Sequence, residues 1–166
     1  MTKYSKIALS LGGNTGDPVA AFDAAAAALT AAGLRHVCRS SHFRTEPVDC
    51  APGTPPFCNA ALTGEWPGSA GELLACCQRL EVAAGRPAEH GFHTPRPLDL
   101  DIICFGDEII RTPVLTVPHP RAQERRFVLQ PLAEIAPDMR FADSGLTVRE
   151  ALLRLDGCNQ NDFMLY

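Results

Sequence analysis

Two aspartates separated by a single residue are the side chains of this sequence best suited to bind a charged ligand. Asp99 and Asp101 belong to the segment LDLDIICF, which predicts a strand over 98–105. Because side chains alternate along a strand, both carboxylates point to the same face, with Cα atoms about 6–7 Å apart. Adjacent carboxylates repel each other unless a cation lies between them. The pair therefore predicts either a site for Mg²⁺, which binds oxygen ligands and phosphates, or a solvated face of an edge strand.

Basic side chains near this pair in the sequence favour the metal-site interpretation. Arg96 precedes Asp99 by three residues, and Arg86 begins the loop before it. His119 lies between two prolines, and Arg125 follows it. Two Mg²⁺ ions about 4 Å apart can clamp a phosphoryl group, and arginine donors stabilise its charge. The set predicts phosphoryl transfer, although two alternatives stay open: Arg96 could simply balance the aspartates, and His119 could be a buried ring.

The common nucleotide-binding and hydrolase motifs are missing from the sequence. There is no G-x-x-x-x-G-K-[ST] phosphate loop, no protein-kinase signature and no G-x-S-x-G nucleophile motif. The GGNTG segment at 12–16 resembles a phosphate cradle but lacks the lysine. We interpret it as a tight turn between a strand and a helix. Any ATP must therefore bind in a different mode from that of P-loop enzymes.

Composition indicates a single globular domain. The chain has 166 residues, of which 46% are hydrophobic and 20% charged, and its formal net charge is −4. A chain of this size buries roughly two-thirds of its surface. The acidic balance argues against binding to nucleic acid, which requires a basic surface. Thirteen of the 15 cations are arginine, whose fork of donors suits phosphate, and seven of these lie between Arg79 and Arg126.

Cysteine use and hydropathy indicate the cellular compartment. The seven cysteines are an odd number without C-x-x-C spacing, which favours reduced thiols over disulfides or a metal site. The sequence has no signal peptide and no apolar stretch of about 20 residues. We therefore expect a cytoplasmic protein that does not contact a membrane.

The order of predicted elements indicates the fold. Strands are predicted over 6–11, 35–44, 57–66 and 98–105, and helices from Asp17–Pro18 to Gly33, from the Ser69–Glu72 capping box to Gly85, over 121–135 in broken form, and over 147–155. The resulting βαββαβ order is typical of a ferredoxin-like α+β fold, an antiparallel sheet with helices on one face, here followed by extra C-terminal helices. Since no linker or repeat interrupts the chain, we expect one domain over 1–166.

Five segments of the chain match the motifs of a known family. They are FRTEPV at 43–48, FCNAA at 57–61, QRLEVAAGR at 78–86, PRPLDLDI at 95–102 and VPHPRAQERRFVLQPLAEIAPD at 117–138. The sequence resembles the hydroxymethyldihydropterin pyrophosphokinase family, the folate-pathway enzymes abbreviated HPPK. The combination of PR-x-LDLDI with PHPR-x-x-ER-x-FVL is highly specific for that family. The resemblance runs from the LGGNTGD turn to about residue 138.

The resemblance implies a reaction and its small-molecule partners. The family transfers the β,γ-diphosphate of ATP to the hydroxymethyl group of 6-hydroxymethyl-7,8-dihydropterin and releases AMP, with two Mg²⁺ ions on the triphosphate. ATP and a reduced pterin are then the partners, and we expect a monomer. Two alternatives remain open: a two-metal phosphohydrolase acting on nucleotides, and a non-catalytic ferredoxin-like binding module in which the aspartates are surface charges.

The resemblance also assigns roles to individual positions. The catalytic residues implied are Arg86, Arg96, Asp99 and Asp101, and the two aspartates would bind the metal ions. The positions that match the ATP site are Gln78, Arg96, Ile102, Thr116, His119 and Arg125. Those that match the pterin site are Thr45, Val48, Phe57, Asn59, His93 and Phe127, with the rings stacking on the pterin and Asn59 bonding to its edge. No general base is assigned.

Three positions depart from the family pattern. Ala88 stands where relatives have a second loop arginine, His93 where they have a loop tryptophan, and Pro120 where a tyrosine is frequent. The departures lie in loops. They therefore predict an effect on loop closure and rate rather than on the type of reaction.

Overall fold

A computed structural model describes residues 1–47, 52–85, 97–158 and 164–165. The strands are β1 (Ser5–Gly13), β2 (Arg35–Arg39), β3 (Phe43–Thr45), β4 (Phe57–Trp66), β5 (Asp99–Phe105), β6 (Ile110–Arg111), β7 (Thr116–Val117) and β8 (Met164–Leu165). The α-helices are α1 (Pro18–Ala31), α2 (Ala70–Ala83), α3 (Arg126–Ile135) and α4 (Val148–Cys158), and a 3₁₀ turn covers Ala122–Glu124. Within these ranges no helix is both long and apolar enough to cross a bilayer.

The first two helices begin at the caps that the sequence predicts. The Asp17 carboxylate accepts a hydrogen bond from the Ala20 N–H at 3.1 Å, immediately before the proline that starts α1. Ser69 and Glu72 form a capping box at the start of α2, each side chain bonding to the other residue's backbone N–H. These bonds satisfy N–H groups that would otherwise lack a partner at the helix ends.

The main sheet has the strand order expected of a ferredoxin-like fold. The order is β5-β1-β4-β3-β8, with β2 also paired to β4, and every pairing is antiparallel. β6 and β7 form a separate two-stranded ribbon. β1 lies between β4 and β5, and β5 forms one edge of the sheet. The predicted α+β fold is confirmed.

Helices cover both faces of this sheet, whereas the sequence predicted helices on one face. Ile7, Leu9 and Leu11 of β1 pack with α1 and α2 in one core. Ala8 points the other way, into a second core with α3 and α4. Because β1 also carries the apolar Ala8 on its second face, that part of the face must be shielded from water. The extra C-terminal helices supply the second cover.

The predicted strand over 35–44 is wrong at its centre, where the structure has a break between β2 and β3. Ser40 replaces regular pairing with two contacts to Ala61: its N–H donates to the Ala61 carbonyl at 3.0 Å, and its hydroxyl accepts from the Ala61 N–H at 2.8 Å. Ser41 is held by Glu134 of α3, whose carboxylate accepts both its N–H and its hydroxyl at 2.7 Å. Side-chain bonds of serine to backbone groups compete with strand pairing in this way.

Candidate active site

The aspartate pair lies on the face of β5 that is turned away from α1 and α2. Leu100 and Ile102 are 5% and 4% exposed and belong to the α1/α2 core. Asp99 and Asp101 alternate with them and are half-buried on the opposite face. The prediction that both carboxylates share one face of a strand is therefore confirmed.

Two close contacts fix the part of β5 that carries the pair. Glu81 of α2 accepts the backbone N–H of Leu100, between the two aspartates, at 2.8 Å. Gly13, at the end of β1, lies so near the Pro97 carbonyl oxygen that a Cβ at this position would be 2.6 Å from it. Only glycine permits that approach without displacing the backbone.

A bulge in β5 positions His119. Leu9 pairs with Ile102 and Ala8 with Cys104, so Ile103 is an extra residue in the ladder. The Ile103 carbonyl accepts the backbone N–H of His119 at 3.0 Å. Bulges commonly interrupt strand pairing near functional sites, and this one brings the loop after β7 beside the aspartates.

The imidazole of His119 lies among charged groups of both signs. Its Nδ1 accepts the Arg121 N–H at 3.2 Å, which assigns the proton of the neutral ring to Nε2. Burial lowers the pKa of His119, the nearby charges of Arg125 and Arg121 lower it further, and Asp99 opposes this shift. Together these influences favour the neutral form of the ring.

Arg125 is a cation on which the charges of both aspartates act. Burial lowers the pKa of its guanidinium, as does Arg121, whereas Asp101 and Asp99 raise it. The guanidinium carbon is 5.4 Å from the centre of the Phe127 ring. The next residue in the chain, Arg126, forms an ion pair with Asp156 of α4 instead. Of two consecutive arginines, one therefore lies near the aspartates and the other joins two helices.

A second group of predicted residues lies on the same face of the sheet, beyond β1. Asn59 is 4% exposed, and its Nδ2 donates to the Thr45 hydroxyl at 2.8 Å. Gly12 pairs with Asn59 on one side and with Asp99 on the other. Since glycine has no side chain, the sheet surface between the amide and the carboxylate is open backbone. Phe57 pairs with Thr45 at the edge of this surface.

The residues predicted to line a nucleoside pocket lie in β5 or in elements that contact it. Gln78 is exposed on α2, one helical turn before Glu81. Thr116 lies in β7, beside β5. The side chain of Ile102 points into the α1/α2 core, so only its backbone is available to a ligand on the aspartate side.

Four predicted site residues fall outside the described part of the chain: Val48, Arg86, His93 and Arg96. The departure at Ala88 also lies there, whereas Pro120 is described and exposed.

Sequence reasoning overlooked three residues that the structure places near the pair. Arg121 is part of the PHPR motif, so its proximity to His119 could have been expected. Glu81 lies three residues after Gln78, a spacing that puts both on one face of α2. Ser10, a buried hydroxyl opposite Asp101, gives no distinctive signal in the sequence.

The donor set fits Mg²⁺ held jointly by protein and substrate. Within the described ranges no group of three or more His, Cys, Asp or Glu side chains could hold a metal ion by itself. Mg²⁺ is usually bound through one or two carboxylates together with waters and substrate phosphates. Asp99 and Asp101, with cationic Arg125 close by, match that requirement.

Comparison with known proteins gives the family. The sequence model of 7,8-dihydro-6-hydroxymethylpterin-pyrophosphokinase (HPPK) matches residues 8–137. The chain belongs to this family. A Methylorubrum extorquens relative named 2-amino-4-hydroxy-6-hydroxymethyldihydropteridine pyrophosphokinase is 40% identical over 149 residues, 89% of this chain and 92% of its own length. A Synechocystis relative with the same name is 37% identical over 89% of this chain and 75% of its own length.

Longer proteins contain a related region. The folate synthesis bifunctional protein of Pisum sativum is 34% identical over 81% of this chain, which spans only 26% of that protein. The crystal structure of Plasmodium falciparum HPPK-DHPS with pteroate superposes with a TM-score of 0.72 at 12% identity, covering 95% of this chain and 45% of that one. At this identity the likeness concerns the fold alone.

Membership of the HPPK family settles the class of reaction. The chain is a pyrophosphokinase of folate biosynthesis, as the sequence predicted, and ATP is the co-substrate of the family. The alternative of a nucleotide phosphohydrolase receives no support from these relatives.

Proposed function

We propose that the chain transfers the β,γ-diphosphate of ATP to the hydroxymethyl group of 6-hydroxymethyl-7,8-dihydropterin and releases AMP. The observation that carries this proposal is the shared sheet face. On it Asp99 and Asp101 of β5 are separated from the buried amide of Asn59 in β4 by a single strand, β1. A triphosphate on the carboxylates and a pterin on the amide would meet above Gly12.

Two Mg²⁺ ions complete the proposed site. Asp99 and Asp101 would hold them, and the ions would neutralise the triphosphate and polarise its phosphorus–oxygen bonds. Arg125 and His119 contact the phosphates, Arg125 by charge and His119 through its Nε2–H. Gln78, Thr116 and the Ile102 backbone bind the adenosine. Arg86 and Arg96 are proposed as further phosphate ligands, consistent with their place in the matched motifs.

The pterin would be held by a ring contact and an amide. Phe57 and Phe127 are the aromatic side chains proposed to stack on it, and Asn59 is proposed to bond to its polar edge. The bond from Asn59 to Thr45 fixes the orientation of that amide in advance. Val48 and His93 are proposed as additional contacts from the loops.

The reaction needs no nucleophile from the protein. The oxygen of the substrate hydroxymethyl group attacks the β-phosphorus and forms a new phosphorus–oxygen bond. The bond from the β-phosphorus to the oxygen bridging it to the α-phosphate breaks, and AMP leaves with that oxygen. The hydroxyl proton passes to solvent. The side chains contribute by holding both substrates in line and by neutralising charge.

We further propose that residues 1–166 act as one catalytic domain, as a monomer, in the cytoplasm. The two cores on either side of a single sheet support one folding unit. The five cysteines whose side chains are described, Cys38, Cys58, Cys76, Cys77 and Cys104, are free thiols, which is consistent with a reducing compartment.

The direct test is the identity of the nucleotide product. Purified protein with ATP, Mg²⁺ and 6-hydroxymethyl-7,8-dihydropterin is expected to form AMP and pterin diphosphate in equal amounts, measured by chromatography. Without the pterin, neither AMP nor phosphate should accumulate. Formation of ADP, or release of phosphate or diphosphate from ATP alone, would contradict the proposal.

A further inference from the structure

Ser10 is a buried residue beside the aspartate pair that has no role in the site as proposed above. It lies in β1, is 7% exposed, and pairs with Asp101 on one side and Ala61 on the other. Leu9 and Leu11 face the α1/α2 core. The Ser10 side chain therefore points to the opposite face, the one that carries Asp101.

Ser10 also differs from the other four buried polar residues in the described part of the chain. Each of those has a side-chain hydrogen bond: Asn14 to the Pro55 carbonyl, Ser40 to the Ala61 N–H, Asn59 to Thr45, and Thr147 to the Glu150 N–H. The Ser10 hydroxyl has no such partner among residues 1–47, 52–85, 97–158 and 164–165. Buried hydroxyls are nearly always hydrogen-bonded, and an exception calls for a functional explanation.

The Asp101 carboxylate is within reach of this hydroxyl. Paired residues on adjacent antiparallel strands have Cβ atoms about 4.5–5.5 Å apart, a gap that serine and aspartate side chains can bridge. An ionised carboxylate offers about four acceptor positions, so it can accept a hydrogen bond while another oxygen binds a cation. Such bonds fix the orientation of metal-binding carboxylates.

We propose that Ser10 is a positioning residue for Asp101: when Mg²⁺ and nucleotide bind, its hydroxyl, unpartnered in the described part of the structure, donates a hydrogen bond to the carboxylate and holds it in the orientation that binds Mg²⁺ together with the nucleotide phosphates. The inference rests on the proposed function, because it assumes that Asp101 is a metal ligand. Ser10 itself contacts neither substrate nor reacting atoms.

Binding measurements on Ser10→Ala test the proposal without relying on turnover. Calorimetry with Mg²⁺ and a non-hydrolysable ATP analogue should show affinity about 10-fold weaker than that of the wild type. The Tm without ligand should not fall, because alanine replaces a hydroxyl that has no protein partner in the described structure. Ser5→Ala, at the opposite end of β1, is the matched control and should leave the affinity unchanged.

A double-mutant cycle with Asp101→Asn separates positioning from a general effect. The cycle compares Asp101→Asn with the double variant Ser10→Ala/Asp101→Asn, at Mg²⁺ concentrations that saturate Asp101→Asn. If Ser10 acts through Asp101, the double variant should bind the Mg²⁺–nucleotide complex less than twofold more weakly than Asp101→Asn. The inference would be overturned if Ser10→Ala bound the Mg²⁺–nucleotide complex as tightly as the wild type, whether or not its Tm fell. It would also be overturned if Ser10→Ala caused the full 10-fold loss of affinity in the Asp101→Asn background. If Asp101→Asn alone bound Mg²⁺ normally, the proposed function would fail instead.

Discussion

The two faces of the central sheet, built from the same strands, have opposite compositions. On the α1/α2 face, Ile7, Leu9 and Leu11 are each 1% exposed or less. On the other face, β1 changes from Ala8, buried under α3 and α4, to Ser10 beside the aspartates. The first face stabilises the protein along the whole strand. The second face stabilises the protein along only part of the strand, and its polar remainder carries the proposed site.

This difference implies that adjacent residues of β5 have separate roles. Leu100 and Ile102 of β5, with Leu98 just before it, belong to the stabilising face, and Asp99 and Asp101 to the face of the proposed site. Substitutions along five consecutive positions should therefore alternate between loss of stability and loss of activity.

The largest expected effect is on stability, from Leu100→Ala. Truncation of a buried leucine should lower the free energy of unfolding by about 2–5 kcal/mol, because transfer energy is lost and a cavity remains. Denaturant unfolding measures this change. The turnover of molecules that remain folded should change little. A variant as stable as the wild type would show that Leu100 does not belong to the core.

The next effect is on catalysis, from Asp99→Asn or Asp101→Asn. Loss of one charged metal ligand should lower kcat/KM on the order of 10²-fold or more. The free energy of unfolding should change far less than in Leu100→Ala. Steady-state AMP production is the measurement. Asp107→Asn, exposed in the turn after β5, is the control and should be near wild type. Near-normal turnover in both site variants would refute the metal role.

A smaller effect, confined to one substrate, is expected from Asn59→Ala. Loss of about one net hydrogen bond to the pterin should weaken pterin binding by roughly 10-fold, with the Mg²⁺–nucleotide affinity nearly unchanged. Calorimetry of each ligand separates the two affinities. Equal weakening of both would show that Asn59 supports the whole sheet face rather than the pterin side.

The smallest expected effect is the pH dependence of stability caused by His119. Its pKa is lower in the folded protein than its ordinary value of 6.5. As the pH is lowered, the unfolded chain therefore binds a proton at a higher pH than the folded chain does. The stability of the wild type relative to His119→Gln should therefore fall as the pH is lowered from 7.5 to 5.5. Tm values of both variants across this range measure it. A difference that is constant or grows in acid would contradict the assigned environment.

Local signals predicted most of the fold. The cap at Asp17, the capping box at Ser69 and the alternation in β5 depend on neighbouring residues, and each is visible in the sequence. The break after β2 could not be predicted, because Ser40 bonds to a residue about twenty positions away and Ser41 to Glu134, more than ninety away.

Prediction of the candidate site from the sequence was limited in the same way. The side chains to which we assign chemical roles were recognisable as motifs, including Asp99, Asp101, His119 and Arg125. The contacts that orient these side chains were not recognisable in the sequence. The bulge at Ile103 and the hydrogen bond of Glu81 to Leu100 arise only from strand register and helix packing. The ion pair between Arg126 and Asp156 was likewise not predictable, because it depends on how α3 packs against α4.

The most direct test of the central claim is a crystal structure with a non-hydrolysable ATP analogue and Mn²⁺ in place of Mg²⁺, with anomalous scattering used to locate the ions. Two anomalous peaks bridging the Asp99 and Asp101 carboxylates and the nucleotide phosphates, near Arg125 and His119, are the predicted result. Carboxylates that face bulk solvent with no cation beside them, and a triphosphate bound elsewhere, would contradict the account.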